Sequence, residues 1–190
     1  MIYKNQMQDY CIPYWQINMA KSTTEFWRDM AIWTRIYIAS VYTGLEDQEV
    51  VFSRLYRVPY EFGGTIRLLF GDDPASSYIN NLSYQVTLIR DLINAQIKED
   101  VETVNKNTAL LYQNTDARAM FLTQINPYWH INDWRGLMYT FISLTLEEST
   151  VFLSKDYNKS IDIFDRLLGQ ATQIANYFSE GVFNLFYSRQ

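Results

Sequence analysis

The sequence predicts an all-α protein, an antiparallel up-and-down bundle of about six helices, and three observations carry that prediction. Apolar residues recur at spacings of three and four through most of the chain, while alternation of period two is weak. Only 7 glycines and 4 prolines stand among 190 residues, too few for the frequent turns of an all-β protein. Where they occur, they sit beside capping residues and cut the chain into helix-length segments. The short connections between these segments make consecutive helices antiparallel neighbours. A ferritin-like bundle is one version of this class, and the whole chain, 1–190, reads as a single domain.

After an irregular start, Ser22, Thr23, Thr24 and Glu25 read as a capping box, hydroxyl and carboxylate satisfying the first amides reciprocally. The helix it would open runs from about residue 23 to 43, with Phe26, Met30, Trp33, Tyr37 and Val41 on one stripe. Ala31 and Ile38 add a second apolar edge, and Gly44 stops it. Asp47 can cap a second helix carrying Val50, Val51, Leu55 and Val58. Pro59 and then Gly63-Gly64 predict a kink or split before Ile66, Leu68, Leu69 and Phe70. Gly71-Asp72-Asp73-Pro74 supplies a terminating glycine, a cap and a first-turn proline. The third helix follows with Tyr78, Leu82, Val86, Ile89, Ile93 and Ile97. Polarity rises at Lys98-Glu99-Asp100, and a fourth helix carries Val101, Val104, Thr108, Leu111, Thr115 and Leu122. It must end by Asn126, ahead of Pro127. Asn132 or Asp133 caps the fifth helix, whose stripe is Trp134, Met138, Phe141, Thr145, Glu148 and Phe152. After a turn at 155–160, the sixth shows the most regular seam: Ile161, Phe164, Leu168, Ala171, Ala175, Phe178, Val182 and Leu185.

Part of the chain recurs. Pro13-Tyr14-Trp15 returns as Pro127-Tyr128-Trp129, and Trp27-Arg28 as Trp134-Arg135. Phe52-Ser53-Arg54-Leu55 is echoed by Phe164-Asp165-Arg166-Leu167. These ordered matches suggest a duplicated helical hairpin, with halves at about 12–71 and 126–187 packed about a pseudo-two-fold axis. Coincidence in an aromatic-rich chain is the alternative. On either reading the stretch Asn126 to Arg135 is a hinge between helices four and five, and its His130 is the part that does not recur.

Net charge is −5 with a pI near 4.9, so phosphate backbones and anionic membranes are disfavoured partners. A single cysteine, Cys11, rules out an internal disulfide and fits a reducing compartment. The first residues show no apolar signal region, and the best apolar run, Met30 to Tyr42, is broken by Arg35, short of the ~18 residues of a span. A soluble, cytoplasmic protein is expected.

The inventory of reactive groups points away from an enzyme. His130 is the only histidine, so zinc sites of Cys and His lack ligands. Phosphate-loop, dinucleotide and nucleophile-elbow patterns are absent from the sequence. A di-iron bundle needs Glu three residues before His, and that position is Pro127. The acids that could still point inward are Glu148, Asp162 and Asp165, with Glu61 and Asp91 behind them. Glu148, on an apolar stripe, should pair with an arginine such as Arg35 or Arg54; failing that, it could join Asp162 and Asp165 as a metal ligand. Arg35, Arg54 and Arg166 sit among aromatics and could instead form an anion pocket. His130, just ahead of a helix start, reads as a hydrogen-bonding loop residue.

Trp33 to Ser40, Phe121 to Arg135 and Tyr157 to Val182 resemble a group of small uncharacterised helical-bundle proteins, mostly of Firmicutes, some labelled acetylglutamate kinase. The sequence does not support that label, since it lacks both a glycine-rich phosphate loop and an alternating α/β pattern. The resemblance also implies histidines in relatives near Met30, Gln85 and Phe141, so a polar or metal site there would be altered in this chain. The resulting expectation is a non-catalytic, cofactor-free bundle that works through a protein partner or as a homo-oligomer. The aromatic share of 16% motivates it. A ferritin-like carboxylate bundle binding a metal is the alternative, and a binder of an apolar small molecule between aromatic faces is a further one.

Overall fold

A computed structural model describes residues 13–187. The apolar periodicity becomes six helices: α1 Tyr14–Thr43, α2 Gln48–Phe70, α3 Asp72–Ile97, α4 Val101–Ile125, α5 Ile131–Leu153 and α6 Tyr157–Tyr187. No strand occurs among the described residues. Each helix packs on the next, and α6 returns to α1, which closes the ring. α1, α3 and α5 also touch one another, so these three form a central trio with α2, α4 and α6 as flanking return helices. A polar clasp holds the trio in register. The Tyr42 hydroxyl donates to Gln96 Oε1 at 2.6 Å and lies 3.0 Å from Ser149 Oγ, which donates to the same Gln96 oxygen at 2.5 Å.

Below the clasp the core is aromatic. Phe26 stacks on Phe62 with ring centroids 4.0 Å apart, and Trp27 meets Phe141 edge-on at 5.6 Å. Met30, Tyr78, Leu82, Trp134, Phe141 and Phe178 are buried, in agreement with the seams read from spacing, and so is Trp27, which the α1 stripe does not include. Val50, Leu68, Ile97, Val101 and Ile161 of those stripes are instead exposed, because they lie at helix ends beyond the reach of the neighbouring helices. Turns fall alternately at two ends. The loop end holds the connections α1–α2, α3–α4 and α5–α6; the joint end holds α2–α3, α4–α5 and the outer ends of α1 and α6.

Three local expectations are corrected. α1 begins at Tyr14 behind Pro13, not at the Ser22–Glu25 box: Thr23 and Thr24 lie inside it and donate to the carbonyls of Met19 and Ala20. Trp15 packing against Phe183 and Phe186 of α6 extends the helix past the local cap signal. α2 is continuous through Pro59, whose ring is buried. Gly63 does not break the helix either; its missing Cβ leaves the space that the Ile79 side chain fills, so α2 and α3 approach closely. α5 starts at Ile131, one residue before the expected caps. His130 holds the N-cap position without a side-chain bond, and Asp133 lies in the first turn.

The two Pro-Tyr-Trp joints differ in packing. Trp129 is buried while Trp15 is 42% exposed; Trp27 lies deep in α1, whereas Trp134 is in the first turn of α5.

Candidate functional site

Glu148 of α5 is 0% exposed. A carboxylate so placed needs a cation and hydrogen bonds. Arg35 of α1 supplies the cation through Nη1, which also donates to Ser160 Oγ at 2.8 Å and to the Ser160 carbonyl at 3.2 Å. The Ser160 hydroxyl donates to the same Glu148 oxygen at 2.9 Å. The Arg35 guanidinium lies 5.2 Å from the Phe152 ring centre and 4.6 Å from that of Phe164, a cation held between aromatics. Burial lowers the Arg35 pKa, and the field of Asp165 partly restores it. Of the partners expected for Glu148, the structure selects Arg35.

Arg35, Arg54 and Arg166 do not form a common pocket, which corrects the anion-site expectation, because each is held by a different acid. Arg54 pairs with Asp29 at 3.6 Å and Glu61 at 3.2 Å and lies over Trp33; Arg166 reaches Glu147 at 3.7 Å. Asp162 and Asp165 are exposed on α6, and Asp91 pairs with Arg90 at 3.5 Å. Among the described residues no group of three or more His, Cys, Asp or Glu side chains could hold a metal ion.

A fully buried arginine was not expected from sequence. Arg118 of α4 is 1% exposed, and its Nη2 donates to Gln85 Oε1 and, at 3.3 Å, to Asn114 Oδ1. Asn114 and Asn81 exchange amide-to-carbonyl bonds at 3.1 Å, pinning α4 to α3. Nε and Nη1 of Arg118 have no partner among the described residues. Burial pulls its pKa down to about 10, with Tyr78 acting in the opposite direction. The available signal was positional: residue 118 falls between Thr115 and Leu122 on the α4 seam.

The joint end buries one large ring, although Tyr14, Ile17, Leu68 and Tyr187 stand exposed around it. Trp129 lies against Gly181 of α6, where a Cβ would collide with the indole. Its Nε1 donates to the Tyr177 carbonyl at 3.3 Å, and its ring packs on Phe70, Trp134 and Phe178. The His130 amide donates to the Tyr177 hydroxyl at 2.8 Å, which donates to Asp133 Oδ2 at 3.1 Å. The His130 side chain itself is exposed, on the rim of a cleft of about 350 Å³.

The loop end is open. Leu45 is 53% exposed, Ile97 46%, Val101 67%, Leu153 47% and Tyr157 52%, one or two apolar side chains from each of the three turns. Gln96, Glu99, Val101, Val104 and Leu153 line an apolar groove of about 280 Å³ there. All three turns leave the helix through a left-handed residue: Gly44 at φ 71°, Glu99 at φ 58° and Lys155 at φ 60°. Each follows the same terminal pattern, in which the next amide reaches back to a carbonyl of the last helical turn: Leu45 to Ser40, Asp100 to Ala95 and Asp156 to Val151. Glycine is the ordinary occupant of such a position, and two of the three are not glycine.

Comparison with known protein families, curated proteins and solved structures finds no match to this chain. No helix among the described residues is long and apolar enough to cross a membrane.

Proposed function

We propose that this protein is a non-catalytic helical bundle that acts through protein contact, with the loop end as its contact face. The observation that supports this reading is a coincidence at one end of the molecule. Apolar side chains from all three turns stand exposed together, and two of those turns keep charged residues in a backbone conformation that favours glycine. Exposed apolar clusters rimmed by polar groups are the usual mark of a protein interface. Residues held in sparsely populated backbone regions concentrate where a surface is used. The net charge of −5 argues for a protein partner over nucleic acid or an anionic bilayer, and the single cysteine fits a cytoplasmic setting.

A photo-crosslinking amino acid placed at Val101 tests the reading in cells that make the full chain. The expected result is a covalent adduct to another polypeptide from Val101 and none from an exposed apolar site on the helix flanks, such as Met120. An adduct pattern that does not distinguish Val101 from Met120 would contradict the reading.

A further inference from the structure

We infer that the loop end docks a second copy of this chain about a two-fold axis, with Glu99 of each copy against Lys155 of the partner subunit. The inference rests on the protein-contact reading and names its partner. Among the described residues neither Glu99 nor Lys155 makes an ion pair, and of the other charges of these turns Lys98 makes none either, while Asp100, Asp156 and Lys159 are engaged. Asp100 accepts from the Thr103 amide at 3.0 Å, Asp156 accepts from the Lys159 amide at 3.1 Å, and Lys159 pairs with Glu147 at 3.4 Å. Glu99 lines the apolar groove, and Lys155 lies two residues beyond Leu153, which lines it from the other side. Unengaged charges of both signs stand beside one apolar strip, and of these Glu99 and Lys155 are the two held in the left-handed conformation.

Symmetry turns that arrangement into a prediction. In a two-fold contact the same patch meets itself, so a residue on one side of the axis faces the residue from the other side. An axis along the groove sets Val101 of one copy against Leu153 of the partner subunit and brings each Glu99 over Lys155 of the partner subunit. A glycine at position 99 or 155 would suit the turn, as Gly44 does in the first one, but would supply no charge. The pairing gives these two side chains a use that outweighs their backbone strain.

Sedimentation velocity on the purified full chain, over a wide concentration range, tests the inference. The wild type is expected to dimerise. Glu99→Lys and Lys155→Glu, each alone, set like charges together at both symmetric contacts and should weaken the dimer by at least about tenfold. Both sites are exposed, so thermal melting should show that each variant remains folded. The double exchange should restore the dimer, and an equimolar mixture of the two single variants should give a heterodimer. A wild type that stays monomeric overturns the inference, as does a dimer indifferent to both single exchanges. If the wild type is monomeric while Val101 still crosslinks to a different protein, only the inference falls. If Val101 also shows no adduct, the contact reading falls with it.

Discussion

At the joint end the bundle is sealed by its own chain, with Trp129 filling the space left by Gly181 and buried among Phe70, Trp134 and Phe178. At the loop end the Tyr42–Gln96–Ser149 clasp ties the helices together, but no ring covers the turns beyond it. Val101, Leu153 and Tyr157 stay exposed, and the turns beneath them carry charge where glycine would be easier. Apolar side chains stand exposed at both ends, Tyr14, Ile17, Leu68 and Tyr187 among them at the joint end. But only the joint end buries a large ring in the gap left by a glycine, and only the loop end sets its exposed apolar groups over charged left-handed turns. Burial of a large ring contributes stability to the isolated chain, whereas exposed apolar groups contribute only when a second surface covers them. Residues that matter for folding and residues that matter for contact should therefore separate by end, and substitutions can break that separation.

The largest effect should come from the sealed end. Trp129→Ala removes the ring that closes it and should cost about 3–5 kcal/mol, read as a lower denaturant midpoint, while leaving self-association intact. Val101→Ala, its counterpart at the open end, should leave the midpoint nearly unchanged. Equal losses at the two sites would erase the distinction between the ends.

Between the ends, the half-buried Arg35 and the buried Arg118 sharpen the argument about which internal groups stabilise. Arg35→Met leaves the Glu148 carboxylate buried without its cation, at a cost of about 3–5 kcal/mol. Arg118 has only neutral amide oxygens as partners. Replacing it by Met removes an uncompensated buried charge, and chemical denaturation should show a variant as stable as the wild type or more so, by up to about 4 kcal/mol. Strong destabilisation would mean that Arg118 satisfies a negative group and is not the burden its surroundings suggest.

The smallest effect lies in the turns. Glu99→Gly and Lys155→Gly relieve the left-handed conformation and should each raise stability by about 1 kcal/mol, measured as an increased melting temperature. At the same time each should weaken dimerisation. Opposite signs on folding and association would be the signature of residues kept for contact; a loss in both would show that their side chains support the turn.

Much of the scaffold was legible in the sequence. The seam of α6 and the stripe of α3 could be read from spacing, and Glu148 announced its need for an arginine by standing on the apolar face of α5. The features that escaped depend on neighbours distant in the chain. The start of α1 is decided by Trp15 resting on α6, which outweighs a good local cap at Ser22. Pro59 and Gly63 looked like breakers because the Ile79 side chain that uses the gap belongs to another helix. Nothing in the α4 stripe marks Arg118, between Thr115 and Leu122, as a buried member, since a periodic stripe does not show which polar residue lies inside. Arg35, Arg54 and Arg166 lie in similar aromatic surroundings in sequence but face different acids in space. The left-handed turns at Glu99 and Lys155 left no trace at all, because the usual marker, glycine, is missing from both.

Amide hydrogen exchange measured at high and at low protein concentration tests the central claim most directly, since it reads both ends of the molecule in one experiment. Protection should rise with concentration across 96–104 and 151–157 while residues 126–131, already sealed by Trp129, exchange at the same rate throughout. Exchange at the loop end that is independent of concentration, or a concentration effect confined to the joint end, would contradict a self-docking open end.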